Sequence, residues 1–170
     1  MSDKIDFLLH ADRLVLREIT LQDAPFILNL VNTPGWLQFV GDRNVHNEMA
    51  AKSFIQTWAL DRYKTFGYGP YMIQLKSTDQ LIGICGLFKR DYLEYPDLGF
   101  AVLPVYNGKG LAHEASKTVI KYAFEMLKIP KLYAITAQKN ANSSKLLTRL
   151  GFNEIPPFNG STDKTFELTH

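Results

Sequence analysis

Cys85 is the only cysteine in this chain of 170 residues, which excludes an internal disulfide framework and a multi-cysteine metal cluster. Charge of one sign is scarce as well: nineteen Lys and Arg against seventeen Asp and Glu leave +2. A nucleic-acid binder carries a basic excess, so no nucleic-acid partner is expected. No apolar run reaches the roughly 18–20 residues of a membrane span, and no membrane partner is expected either. The start of the chain, Met1 to Asp6, has mixed charge and no apolar core, so it does not read as a signal peptide. His10 and His46 lack a spaced partner, and no metal site is expected. Repeats and low-complexity stretches are missing. What is present is the ordinary balance of a packed globule, 46% hydrophobic and 21% charged. The expectation is one cytoplasmic domain over residues 1–170.

Period-2 alternation predicts strands at Arg13–Arg17, Tyr71–Leu75, Leu81–Phe88, Asp97–Leu103 and Lys131–Thr136, with short closing strands at Phe152–Ile155 and Thr165–Leu168. Helical spacing places Ala24, Ile27, Leu28 and Val31 on one element that Thr33-Pro34-Gly35 stops. Ala51, Phe54, Ile55 and Trp58 mark a second helix. A long helix runs from Leu111 to Leu127, with Ala115, Val119, Tyr122, Ala123 and Met126 inward. Asn142 to Leu150 forms a short helix closed by Gly151. The hairpins argue for antiparallel pairing, and the strand–helix–strand from Asp97 to Thr136 needs a crossover between parallel neighbours. The fold class is therefore α/β (α+β): a mixed, mostly antiparallel sheet of about seven strands with helices on both faces.

The most informative stretch is Pro104-Val105-Tyr106-Asn107-Gly108-Lys109-Gly110-Leu111-Ala112, where a strand ends and the longest helix begins. Two glycines one residue apart let successive N–H groups turn into one concavity, and the first helical turn adds unpaired N–H groups and a positive dipole end. Such a bend suits a phosphate, and Lys109 can add charge at its rim. Leu111-Ala112 supply no hydroxyl for a Walker loop, and His113 replaces the third glycine of a dinucleotide fingerprint.

Together with Asp97-Leu98-Gly99-Phe100, this stretch resembles the acetyl-CoA site of the GNAT N-acetyltransferases, most of all their ribosomal-protein N-terminal acetyltransferase (RimJ/RimL-like) branch. Arg13-Leu14-Val15-Leu16-Arg17 with Asp23-Ala24, Leu81-Ile82-Gly83, Asn140-Ala141-Asn142-Ser143 and Leu150-Gly151-Phe152 resemble further pieces of that branch in the same order. The resemblance covers about residues 11–155. It implies a splayed sheet in which Asp97–Leu103 and Lys131–Thr136 diverge midway. It also implies acetyl-CoA as cosubstrate, held by main-chain groups near Ala101, Val102 and Leu103, by the N–H groups from Asn107 through Gly108, Lys109, Gly110 and Leu111 to Ala112, and by Asn140. A primary amine, on a protein N-terminus or a small molecule, is the implied acceptor.

Transfer to an amine needs a neutral amine, a polarised carbonyl and a protonated thiolate. Asp97 or the preceding Glu94 can take the amine proton. The family's usual tyrosine acid is replaced by Leu147, which leaves Ser143, a water, or nothing. Val105 stands where the family's loop carries Gln or Arg. These two departures keep open a domain that binds CoA without turnover. Trp36 and Phe39 are the candidate acceptor-pocket residues. Cys85, inside an apolar strand, reads as a packed thiol, and His113 as a neutral imidazole. Pairing of two chains through the aromatic-rich helices stays open. The few acids between Pro34 and Gly69 disfavour a polyamine acceptor.

Overall fold

Where branched and polar residues alternate, the computed structural model forms strands; it describes residues 7–170, and the reading of Met1–Asp6 lies outside them. The strands are β1 (Leu8–His10), β2 (Leu14–Glu18), β3 (Pro70–Leu75), β4 (Leu81–Phe88), β5 (Asp97–Val102), β6 (Lys131–Thr136), β7 (Asn153–Ile155) and β8 (Lys164–Thr169). They make one eight-stranded sheet in the order β1-β2-β3-β4-β5-β6-β8-β7. Every neighbouring pair is antiparallel except β5 and β6, which run parallel across the helical crossover. The sequence expectation of about seven strands omits β1, whose three residues pair Leu9 with Leu16. So short a segment, next to the charged Asp12-Arg13, carries no periodic signal of its own.

Among the described residues, six α-helices flank the sheet: α1 (Ala24–Leu30), α2 (Pro34–Phe39), α3 (Glu48–Ile55), α4 (Asp61–Phe66), α5 (Leu111–Glu125) and α6 (Ala141–Arg149). On one face, Leu111, Ala115, Val119 and Ala123 of α5 pack on Leu14, Leu16, Ile73 and Cys85. On the other, Ala24, Ile27 and Leu30 of α1 and Ala51 and Ile55 of α3 pack on Met72 and Ile84. Each fully buried Leu or Ile contributes about 1.5–3 kcal/mol over its exposed state, so these faces hold helices that would be marginal alone.

The helix expected to stop at Thr33-Pro34-Gly35 ends at Leu30, and Pro34 then opens α2, because a first-turn proline lacks only an N–H that would be unpaired there. Two expectations need correction. Met126 is not inward but 73% exposed. The long helix ends at Glu125, Lys128 adopts a left-handed φ of 57°, and the Ile129 amide bonds back to Ala123 O. That reversal puts Leu127 and Ile129 against the core in place of Met126. The second amphipathic helix is also not uniform. Between α3 and α4, residues Gln56–Leu60 form a π-helical turn in which the Asp61 amide reaches Gln56 O.

Candidate active site

The parallel strands β5 and β6 share a single register pair, Asp97 with Tyr133, fixed by the Tyr133 amide on Pro96 O at 3.0 Å. Beyond it they diverge, while β6 keeps six paired positions with β8 and β5 stays paired with β4 as far as Val102. The Leu103 amide donates to Ile82 O at 2.8 Å. Successive residues of a strand turn their main-chain groups to opposite sides. Gly99 and Ala101 therefore address β4 with Leu103, whereas Phe100 and Val102 turn theirs into the opening, where no strand among the described residues takes them. Gly83 lets β4 lie this close to β5, since a β-carbon there would stand 2.2 Å from Ala101 O.

Past Val102 a short turn, Pro104–Tyr106, leads into the glycine bend. Gly108 and Gly110 have φ of 75° and 74°, the left-handed region that side chains disfavour. Asn107, Gly108, Lys109 and Gly110 are exposed. The Asn107 amide is occupied by Pro104 O at 3.1 Å. No protein acceptor among the described residues takes the amides of Gly108, Lys109, Gly110, Leu111, Ala112 or His113. The bend is thus an outward-facing set of free donors at the N-terminus of a helix of 15 residues, the chemistry that receives an anion. The Lys109 ammonium stands 5.7 Å from the centre of the Tyr106 ring. Val105 is 69% exposed.

Beside the splay lies a cleft of ≈ 290 Å³. It brings together the sequence candidates Trp36, Phe39, Asp97, Ala101, Asn140 and Ser143, with Ile135 and Thr136 of β6 on the far bank. Val102, Leu103 and the 107–112 bend lie outside it, along the continuation of β5. Its aromatic wall is larger than Trp36 and Phe39: Trp58 and Phe88 line it too. Trp58 stacks on Phe54 at 4.9 Å and meets Trp36 edge-on at 6.2 Å. Trp58 sits in the π-helical turn, and the wider winding that aims it is not encoded in helical spacing.

Asp97 is 2% exposed, which sets aside a solvent-facing position for it. Arg90 holds its carboxylate, Nε to Oδ1 at 2.8 Å and Nη2 to Oδ2 at 3.4 Å. Burial raises the Asp97 pKa above the usual carboxylate range, and the Arg90 charge pulls part of the way back. Glu94 is exposed and is not part of the cleft wall. Ser143 occupies the first turn of α6, where its amide donates to Asn140 Oδ1 at 3.2 Å. That bond caps the helix and commits the Asn140 oxygen, leaving its Nδ2 to donate elsewhere. Leu147 is one turn after Ser143, 1% exposed and on the same cleft-facing side. Cys85 is fully buried, 3.7 Å from Ser116 Oγ, and its thiol is pushed up to about 12 by burial. The His113 pKa is lowered, first by burial and then by Arg149 and Lys117. Among the described residues, no cluster of His, Cys, Asp and Glu could hold a metal, and no helix is long and apolar enough to cross a membrane.

This geometry has counterparts. YoaA of Bacillus subtilis (strain 168), named as an uncharacterized N-acetyltransferase, is 29% identical over 148 residues, 86% of this chain and 83% of that protein. The crystal structure of an acetyltransferase from Agrobacterium tumefaciens str. C58 superposes with a TM-score of 0.84 at 25% identity, over 96% of this chain and 95% of that one. RimL, a ribosomal L7/L12 alpha-N-protein acetyltransferase solved with coenzyme A, shares the fold at a TM-score of 0.81 and 15% identity, over 96% and 98% of the two chains. The acetyltransferase (GNAT) domain family matches residues 13–153. With its splayed parallel pair and open glycine bend, the chain belongs to that family and is an N-acetyltransferase of the GNAT type.

Proposed function

We propose that this chain transfers the acetyl group of acetyl-CoA directly to a free α-amine, that of a peptide N-terminus or of a small amino compound. The observation that carries the reading is the single register pair of β5 and β6. It opens a slot between the free amides of the bend and the aromatic cleft. The amides from Gly108 to Ala112 would receive the diphosphate, and the main-chain groups of Phe100 and Val102, with Asn140 Nδ2, would line the pantetheine arm. A main-chain N–H aimed at the acetyl oxygen supplies the polarisation that acyl transfer needs. The amine nitrogen enters from the Trp36–Phe39–Trp58 side, bonds to the carbonyl carbon, and the carbon–sulfur bond breaks. Asp97 takes the proton that the nitrogen loses, directly or through water, and Ser143 Oγ relays a proton from solvent to the departing sulfur, taking one up as it gives one.

Two features favour an α-amine. With a pKa near 8 it needs less help to lose its proton than a lysine near 10.4. A polycation also finds little to bind: Asp97 is matched by Arg90, Arg43 adds a positive charge to the cleft, and Asp163 is the remaining acid of its wall. A second reading, a CoA-binding domain without turnover, draws on the aliphatic Leu147 where the usual acid would stand. One experiment decides among these. The protein is incubated with acetyl-CoA and four acceptors: peptides with a free N-terminus, the same peptides N-terminally blocked with one lysine, free amino acids, and spermidine. Products are read by mass spectrometry. Acetylation of free α-amines, with the blocked peptides unmodified, is expected. Transfer confined to spermidine would overturn the acceptor class, and CoA binding without any product would favour the second reading.

A further inference from the structure

Outside the cleft, Arg13, immediately before β2, reaches far along the sequence. Its Nε donates to Glu114 Oε1 at 2.9 Å, its main-chain amide to Glu114 Oε2 at 3.0 Å, and its Nη1 to Lys109 O at 3.0 Å. Its Nη2 lies 3.6 Å from where a β-carbon on Gly110 would stand and makes no hydrogen bond among the described residues. One side chain thus ties a residue from the other end of the sequence to two points of the bend and its helix.

Glu114 belongs to the first turn of α5. A carboxylate there suits the helix dipole, yet it sits next to amides that an anionic ligand would need, and like charges at such a site repel. As a contributor to stability the ion pair is minor, because the Arg13 side chain is 51% exposed. Its position points to another role. The bond to Lys109 O turns that carbonyl to the Arg13 guanidinium, so that this acceptor is occupied while the neighbouring amides stay free.

We propose that Arg13 is a positioning residue for the diphosphate of CoA: it cancels the Glu114 carboxylate and fixes the bend with its amides outward. This rests on the acetyl-CoA reading above. The test is calorimetric titration with free CoA of the unaltered chain, R13Q, R13K, E114Q and the double variant R13Q/E114Q, with thermal unfolding to confirm that each is folded. R13Q should weaken binding about tenfold, the order expected when one charge near a dianion at a screened surface is left uncompensated. R13K should recover part of the loss. E114Q should bind CoA as tightly as the unaltered chain or tighter, and the double variant should recover part of the R13Q loss, the remainder being the missing bond to Lys109 O. If E114Q is as damaging as R13Q and the double variant no better, the pair is only a brace and the proposal falls. Absence of CoA binding by the unaltered chain would overturn the acetyl-CoA reading itself, and this one with it.

Discussion

In the bend between β5 and α5, the groups that face outward are main-chain amides, set by Gly108 and Gly110 at φ of 75° and 74°. In the cleft they are side chains gathered from far apart: Trp36 from α2, Trp58 from the π-helical turn, Phe88 from β4, Asp97 from β5 and Ser143 from α6. A main-chain site tolerates almost any sequence that permits its dihedral angles, and it recognises a group common to all ligands of one cosubstrate. A side-chain site can be rebuilt one residue at a time without disturbing the sheet. The division teaches where specificity resides: the bend is suited to a constant partner, the aromatic wall to a variable one.

The largest effect should come from the main-chain half. In Gly110→Val a β-branched residue is forced to a φ of 74° or the bend rearranges, at a cost of about 1–3 kcal/mol in strain. The amides then lose their convergence, and charge-assisted bonds from them are the strong ones. CoA affinity measured by calorimetry should fall about 10³-fold, equivalent to roughly 4 kcal/mol, while the strain lowers the melting temperature by only several degrees, about 2–4 °C per kcal/mol. Affinity within threefold of the unaltered chain would break the comparison.

Next comes the buried carboxylate of the cleft. Asp97→Asn should lower kcat about 10²-fold, the small end of general-base effects, because an α-amine needs modest help. The pH profile separates chemistry from structure. Burial raises the Asp97 pKa, so the carboxylate becomes a base only above the usual carboxylate range, and kcat should fall as pH drops through that raised value. The carboxamide of the variant does not titrate, so its profile should lack this limb. Stability moves the other way: the folded state holds this proton more tightly than the unfolded one. Folding free energy therefore declines as pH climbs from the usual carboxylate value through the raised one, with Arg90 limiting the loss. An unchanged acidic limb in Asp97→Asn would reduce the Arg90–Asp97 pair to a structural one.

The same division explains what the sequence disclosed. Glycine spacing at Gly108 and Gly110 states a backbone requirement directly, and the parallel crossover from Asp97 to Thr136 follows from strand–helix–strand order, so fold and bend were legible. The cleft was legible where a motif touched it, at Asp97, Ala101, Asn140 and Ser143, and at Trp36 and Phe39, whose place in the connection after α1 marked them as pocket candidates. Trp58 looked like core because helical spacing assumes uniform winding. Arg90 gave no signal, since its link to Asp97 exists only after the chain turns between β4 and β5. The one-pair splay also decides which of the alternating residues face the opening, and Phe100 and Val102 could not be distinguished from Ala101 and Leu103 by pattern alone.

The smallest effect sharpens the comparison most, because it should leave one half untouched. Trp58→Leu removes an indole that stacks on Phe54 and meets Trp36 edge-on, while the apolar side chain keeps the turn packed. Aromatic pairs contribute about 0.5–1.5 kcal/mol beyond their buried area, so the acceptor KM should rise roughly tenfold. The substitution lies on the face of the sheet that carries α1 and α3, away from the bend and from α5. The Kd for CoA should therefore stay within about twofold of the unaltered chain. If KM and Kd move together, the wall and the bend are not separate devices, and the aromatic cleft serves the cosubstrate as much as the amine.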